Sequence, residues 1–206
     1  SEMCIRDSDK CVLLPKAILP LNIFEPRYLE MIDDAMKKNK HIGIIQPSIS
    51  QRKNSDTERV GCLGKISTYV ENDDGTLIIK LTGICRFNTI EEIENNAPYR
   101  EMKVTYHAFN DDLTLDDNTD TIDREKLLNV ISDYLNVNDL TTDWSVITDT
   151  DTEILINAFA MLSPFTAKEK QALLEATNIE NRSEILIALS EISIASRNNK
   201  KSNFIQ

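Results

Sequence analysis

Only two histidines, His41 and His107, and only five glycines occur in 206 residues. The shortage of glycine excludes a dinucleotide-binding fingerprint, and G-x-G-x-x-G does not occur. The one Gly-Lys pair, Gly64-Lys65, has Arg59 where a phosphate loop needs glycine, and Ile66 where it needs Ser or Thr to hold magnesium. No G-x-S-x-G elbow is present. A Ser-His-Asp relay would have to use one of the two histidines, each at the end of an expected strand without a local signature. Carboxylate pairs such as Asp33-Asp34 and Glu91-Glu92 are adjacent, so their side chains point apart as solvated charges do. These absences predict no catalytic residues and no cofactor.

Cysteine is scarce and unpatterned. Cys4, Cys11, Cys62 and Cys85 form no C-x-x-C pair, so no metal is expected. Cys62 and Cys85 sit in alternating apolar runs and read as small core side chains. No apolar run reaches the ~20 residues that span a bilayer, and no basic-then-apolar leader opens the chain. A cytoplasmic protein without membrane contacts is the expectation. Positive charge is also short: 23 Lys and Arg stand against 34 Asp and Glu, a net of −11. That balance argues against sequence-independent binding to nucleic acid or anionic lipid.

The negative charge is concentrated. Residues 1–109 carry a net of −1 and residues 154–206 a net of +1, whereas 110–153 hold 13 acidic and 2 basic side chains. Its first part, 110–120, has the polarity of a solvated connector. An acidic docking site for a basic partner is the competing reading of the same stretch. A boundary near residue 110 follows, with 11–109 before it, a helical part at 121–196 after it and a frayed tail at 197–206.

Before the boundary, period-two alternation dominates. One run places Val60, Cys62, Gly64, Ile66, Thr68 and Val70 on a face, and a second does so for Leu77, Ile79, Leu81, Gly83, Cys85 and Phe87. Asn72-Asp-Asp-Gly75 between them is a hairpin-turn signal. Gly83 in mid-strand predicts a bulge or sharp bend. Further strands are expected at Cys11–Leu14, Ile42–Ile45 and Arg100–His107. Pro26 opens the one helix of this half, with Tyr28, Leu29, Ile32, Ala35 and Met36 as its apolar stripe. Arg27 in its first turn opposes the helix dipole and requires a carboxylate partner, with Glu25 and Glu30 nearest. After residue 120 the period becomes 3.6. Leu127, Leu128, Ile131, Tyr134 and Leu135 stripe one helix, Glu153–Leu162 is apolar nearly all round, Thr166-Ala-Lys-Glu169 is a capping box, and Asn181-Arg-Ser-Glu184 opens a fourth helix.

The run Leu19-Pro-Leu-Asn-Ile-Phe-Glu-Pro-Arg-Tyr28 and the following Leu29–Met36 resemble the signature of the Lon protease N-terminal, substrate-binding domain. Val60-Gly61, Gly64, Gly83, Arg86, Phe87, Pro98-Tyr99-Arg100, Leu162-Ser-Pro-Phe165 and Glu169–Glu175 agree with it in order, so the likeness covers most of 11–196. It implies an α+β fold: a PUA-like β-barrel with one inserted helix, followed by an α-helical bundle. It implies binding of unfolded or degron-bearing polypeptides, as an adaptor or holder alongside a Lon-type protease, without that protease's ATPase or Ser-Lys peptidase. The candidate peptide-binding or structural motif is Ile23, Phe24, Glu25, Arg27, Tyr28, Gly83 and Arg86. Phe24 itself reads as a core anchor, and the polar loop Pro47–Arg59 is a second candidate surface.

Two departures stand out. The family opens with an apolar strand that Ser1–Lys10 does not resemble, which predicts a barrel short of an edge strand. Lys16 stands after Pro15, where the family often has glycine. The competing functions are RNA binding, for which Arg52, Lys53 and Arg59 are the nearest approach to a basic cluster, and an enzyme built on a buried histidine beside a carboxylate.

Overall fold

A computed structural model describes residues 1–7, 11–49, 56–114 and 119–203. It is an α+β structure with one mixed six-stranded sheet and several helices. The strands are β1 (Glu2–Asp7), β2 (Ile18–Ile23), β3 (His41–Ile45), β4 (Val60–Glu71), β5 (Leu77–Ile93) and β6 (Arg100–Thr105). They are ordered β2-β5-β4-β3-β1-β6, and β5 also pairs with β6, so the ladder returns on itself. Every pairing is antiparallel except β1 with β3.

The hairpin between β4 and β5 forms where the turn signal stands. Gly75 takes φ 79°, a left-handed conformation open to a residue without Cβ, and its N–H donates to the Asn72 carbonyl at 2.9 Å. Farther along, Gly64 faces Gly83 while Leu63 faces Cys85, which leaves Ile84 as the extra residue of a bulge. The turn at Leu14–Ala17 lies against this point. The Gly83 N–H donates to the Ala17 carbonyl at 2.9 Å, and the Gly83 carbonyl accepts from Lys16 N–H at 3.0 Å. A Cβ on Gly83 would run into the Leu14 carbonyl, so the close approach of two backbones requires glycine there. Lys16 has φ 61°, the left-handed conformation that suits the family's glycine.

Two expectations are corrected at the N-terminus. The decamer Ser1–Lys10 supplies β1, which lies between β3 and β6, so the sheet is not short of a strand there. Met3 and Ile5 pack with Ile45, Phe87, Met102 and Val104, whereas Cys4 turns into the larger core. Burial on both faces makes Met3-Cys4-Ile5 a short continuous apolar run without alternation, and that is why it does not read as a strand. Cys11–Leu14, in contrast, is not a strand. Val12, Leu13 and Leu14 are buried as irregular chain, and the strand is β2 at Ile18–Ile23.

The helices are α1 (Pro26–Lys37), α2 (Arg124–Val137), α3 (Trp144–Asp149), α4 (Thr152–Leu162), α5 (Ala167–Glu175) and α6 (Ile179–Asn203). Asp123, Asp143 and Asp151 cap α2, α3 and α4 through their side chains, and Thr166 with Glu169 forms the capping box of α5. α6 starts two residues before Asn181 and continues past Arg197, where a frayed tail was expected. α3 is a short helix with no buried residue, so no apolar stripe in the sequence marks it. Tyr134 is the hub of helix packing: its ring meets Phe159 edge-on at 5.3 Å and Phe165 at 5.9 Å. One continuous core joins Leu13, Ile44, Ile79 and Leu81 to Leu127, Ile131, Ile156 and Leu173, so sheet and helices bury a common apolar interior. No helix among the described residues is long and apolar enough to cross a membrane.

Candidate functional site

The seven motif residues divide into three places. Ile23 ends β2 and is buried. Tyr28 on α1 is buried, and its hydroxyl donates to the Asp7 carboxylate and to the Asp7 carbonyl, the latter at 3.3 Å. Burial and the Asp7 charge both hold the Tyr28 phenol well above its ordinary range. Arg27 stacks over the Tyr28 ring at 4.4 Å, bonds Glu25 through Nε at 3.1 Å and lies 4.0 Å from Asp7. Its carboxylate partner is therefore Glu25 from the N-cap position rather than Glu30. Glu25, Arg27 and Tyr28 form a clamp that ties α1 to the end of β1. Gly83 is the crossing point already described. Arg86 is remote from both.

Arg86 is only 3% exposed. Its Nε and Nη2 take both Asp112 oxygens at 2.9 and 2.8 Å, the backbone N–H of Arg86 donates to the same carboxylate, and Nη1 donates to the carbonyls of Leu174 and Ala176. Asp112 lies inside 110–120, so part of that stretch is a buried anchor, not a solvated connector; residues 115–118 lie outside the described residues. Arg86 thus joins the sheet to the end of α5, with its guanidinium 4.5 Å from the Phe109 ring. Gln46 does the same for the start of that helix, donating to the Ala167 carbonyl and to Gln171, and Asn157 donates to the Pro15 carbonyl.

Phe24 corrects its own reading. It is 65% exposed, not a core anchor. It follows β2, which stands at one end of the sheet order, and among the described residues no strand pairs with the outer edge of β2. Ile18, Pro20 and Asn22 turn outward, while Leu19 and Leu21 pack against the core and Ile23 enters it. Register places Asn22 opposite Ile78 and Ile78 opposite Val70, so Ile18, Pro20, Ile78 and Val70 share one face, and all four are exposed. This edge and its apolar face were missed at the sequence level, although Pro20 in mid-strand carried the signal, since proline is confined to edge strands.

Other candidates fare differently. The base of the Pro47–Arg59 loop is tied by Ser48 N–H to the Asp56 carbonyl and by Ile49 N–H to Glu58 Oε1, and residues 50–55, with Arg52 and Lys53, lie outside the described residues. His41 opens β3, and partial burial and the nearby Lys65 charge lower its pKa. His107 is exposed at the start of a 3-10 turn. Cys62 and Cys85 are buried strand residues, as expected, and burial pushes the Cys85 thiol up to about 11. Among the described residues no group of three or more His, Cys, Asp or Glu could hold a metal ion.

Among the described residues, the site is an open strand edge with an apolar outward face on an α+β sheet-and-helix module. Residues 8–190 match the model of the ATP-dependent protease La (LON) substrate-binding domain, and this chain belongs to that family. The Lon protease of Desulfosudis oleivorans is 32% identical over 94 residues, 44% of this chain and 11% of that protein. The Lon protease of Buchnera aphidicola subsp. Schizaphis graminum is 24% identical over 189 residues, covering 89% of this chain. The chain spans 24% of the length of that relative. In fold it is similar to the Lon N-terminal domain protein from Xanthomonas campestris, with TM-score 0.65, 19% identity and coverage of 91% of this chain and 98% of that one. It is similar also to the N-terminal domain of the Mycobacterium avium complex Lon protease, with TM-score 0.68, 16% identity and coverage of 93% and 98%.

Proposed function

We propose that this chain binds unfolded or degron-bearing polypeptides, as an adaptor or holder working with a Lon-type protease, and catalyses no reaction itself. The observation that carries the reading is Phe24, 65% exposed at the end of an edge strand whose outward face is apolar. An extended client segment would pair with the open edge of β2 and lay alternate side chains over Ile18, Pro20 and Ile78. Because Pro20 offers no N–H, main-chain bonding to that edge is incomplete, and side-chain contact at Phe24 contributes the balance. The closed pairing circuit β5-β4-β3-β1-β6 is read as the PUA-like barrel of 11–109 with β1 added to it, 110–120 as the acidic connection, and 121–196 as the helical bundle. The cytoplasm is the setting this reading assigns.

The test is recovery of one client in unfolded and folded forms by the immobilised chain, with Phe24→Ser as the comparison. Preferential recovery of the unfolded form, weakened by Phe24→Ser, supports the reading. Equal recovery of both forms, or no response to the substitution, defeats it.

A further inference from the structure

The helical half carries a second apolar surface that β2 does not reach. A groove of about 370 Å³ runs between α2, α3 and α4, with Tyr134, Val146, Phe159 and Leu162 among its walls. It continues through Leu135 and Leu140 into a hollow of about 220 Å³ that ends at Trp144. Leu162 is 76% exposed and Val146 60%, while Leu140 and Trp144 are nearly half exposed. Apolar side chains this open along one furrow mark an interaction surface.

The stretch of chain that forms most of the groove carries one sign of charge. Residues 133–151, which supply most of the walls, hold five aspartates (Asp133, Asp139, Asp143, Asp149 and Asp151) and no lysine or arginine. All five are exposed. Hydrogen bonds from Ser145 hold the Asp143 carboxyl below the usual carboxylate range, so it keeps its charge. Arg124, beyond this stretch, spends its guanidinium on the Thr148 and Thr150 carbonyls and on Thr152, which fixes the α3–α4 connection.

The walls also state the occupant's backbone. Most are side chains of α2, α3 and α4, joined by Leu140, Thr141 and Thr142 of the α2–α3 connection, so the greater part of the groove offers little to an extended chain's N–H and C=O groups. A helix arrives with those groups already bonded. We infer that this groove is a docking site for a basic amphipathic helix of a partner protein, its apolar stripe seated between α2 and α4 and its lysines or arginines facing the exposed aspartates of 133–151. The surface is separate from the β2 edge, and the inference stands without the client-binding reading.

The test uses a peptide of ~18 residues, five turns, with leucines at i, i+3, i+4 and i+7 and lysines elsewhere. Trp144, the one tryptophan of the chain, reports binding by a blue shift of its emission. The expected result is saturable binding that weakens as salt rises. It should be lost in a scrambled peptide of identical composition and in a leucine–glutamate version. Leu162→Lys and Val146→Lys, both at exposed positions and so harmless to folding, should each weaken it by at least about fivefold, while Phe24→Ser leaves it unchanged. Equal binding of the scrambled peptide, or indifference to Leu162→Lys, overturns the inference. So does a concentration-dependent dimer that Leu162→Lys dissociates in sedimentation, since the groove would then be a contact between copies of this chain.

Discussion

Arg86 and Asp112 face each other across a fork of two hydrogen bonds, Nε to Oδ2 at 2.9 Å and Nη2 to Oδ1 at 2.8 Å, with side chains only 4% and 8% exposed. The pair stands where β5 meets the connection into the helices. Removing either partner strands the other charge away from water, which costs more than the pair contributes as a unit. Arg86→Ala and Asp112→Ala should each lower unfolding free energy by about 3–5 kcal/mol in urea titrations. The double variant Arg86→Met with Asp112→Leu should lose less than the two single losses added together. Additive losses would show that the two side chains act separately.

Gly83 and Gly64 face each other at the bulge, yet alanine should cost them differently. At Gly83 the new methyl meets the Leu14 carbonyl, backbone that cannot step aside. At Gly64 it meets chiefly the tip of the Leu13 side chain, at 2.7 Å, which can rotate. Gly83→Ala should destabilise by about 3 kcal/mol and Gly64→Ala by about 1 kcal/mol. Thermal denaturation of the two variants compares them directly.

Ile23 and Phe24 are neighbours of opposite exposure. Ile23→Ala removes a side chain that is 1% exposed and should cost about 2–4 kcal/mol of stability. Phe24→Ser should leave stability within about 0.5 kcal/mol and lower recovery of an unfolded client. Calorimetry alongside the recovery assay separates the two effects.

His41 has its pKa lowered by partial burial and by Lys65. The unfolded chain then binds a proton at a higher pH than the folded one. Stability should be flat above the ordinary histidine range and fall as pH drops from about 6.5 towards the lower folded value. His41→Asn should flatten that part of the profile, read from urea midpoints between neutral and mildly acid pH.

What could be read from residue order alone was what neighbours in the chain decide. The hairpin at Gly75, the helix opened by Pro26 and the Thr166–Glu169 box are each written within a few residues, and each forms where it was expected. Burial was legible only where it alternates. Met3-Cys4-Ile5 is buried on both sides of the sheet and so showed no period, and Val12–Leu14 showed an apolar run but no pairing. Phe24 looked like core because it is large and apolar; its exposure depends on where α1 leaves β2. Arg86 could not be understood without Asp112, 26 residues away in a stretch whose composition suggested water on all sides. The acidic segment that dominates the charge is buried at Asp112 and exposed at the five aspartates of 133–151.

β1 pairs with β3 on one side and with β6 on the other. The first strand of this sequence to emerge during synthesis therefore waits for the last strand of the sheet. Until Arg100 to Thr105 have cleared the ribosome, a nascent chain presents Met3 and Ile5 beside an unclosed border, a seam through which a neighbouring copy could be drawn in. The long-range closure makes assembly of the sheet a late and comparatively slow event, and loss of β1 would open the pairing circuit between β3 and β6.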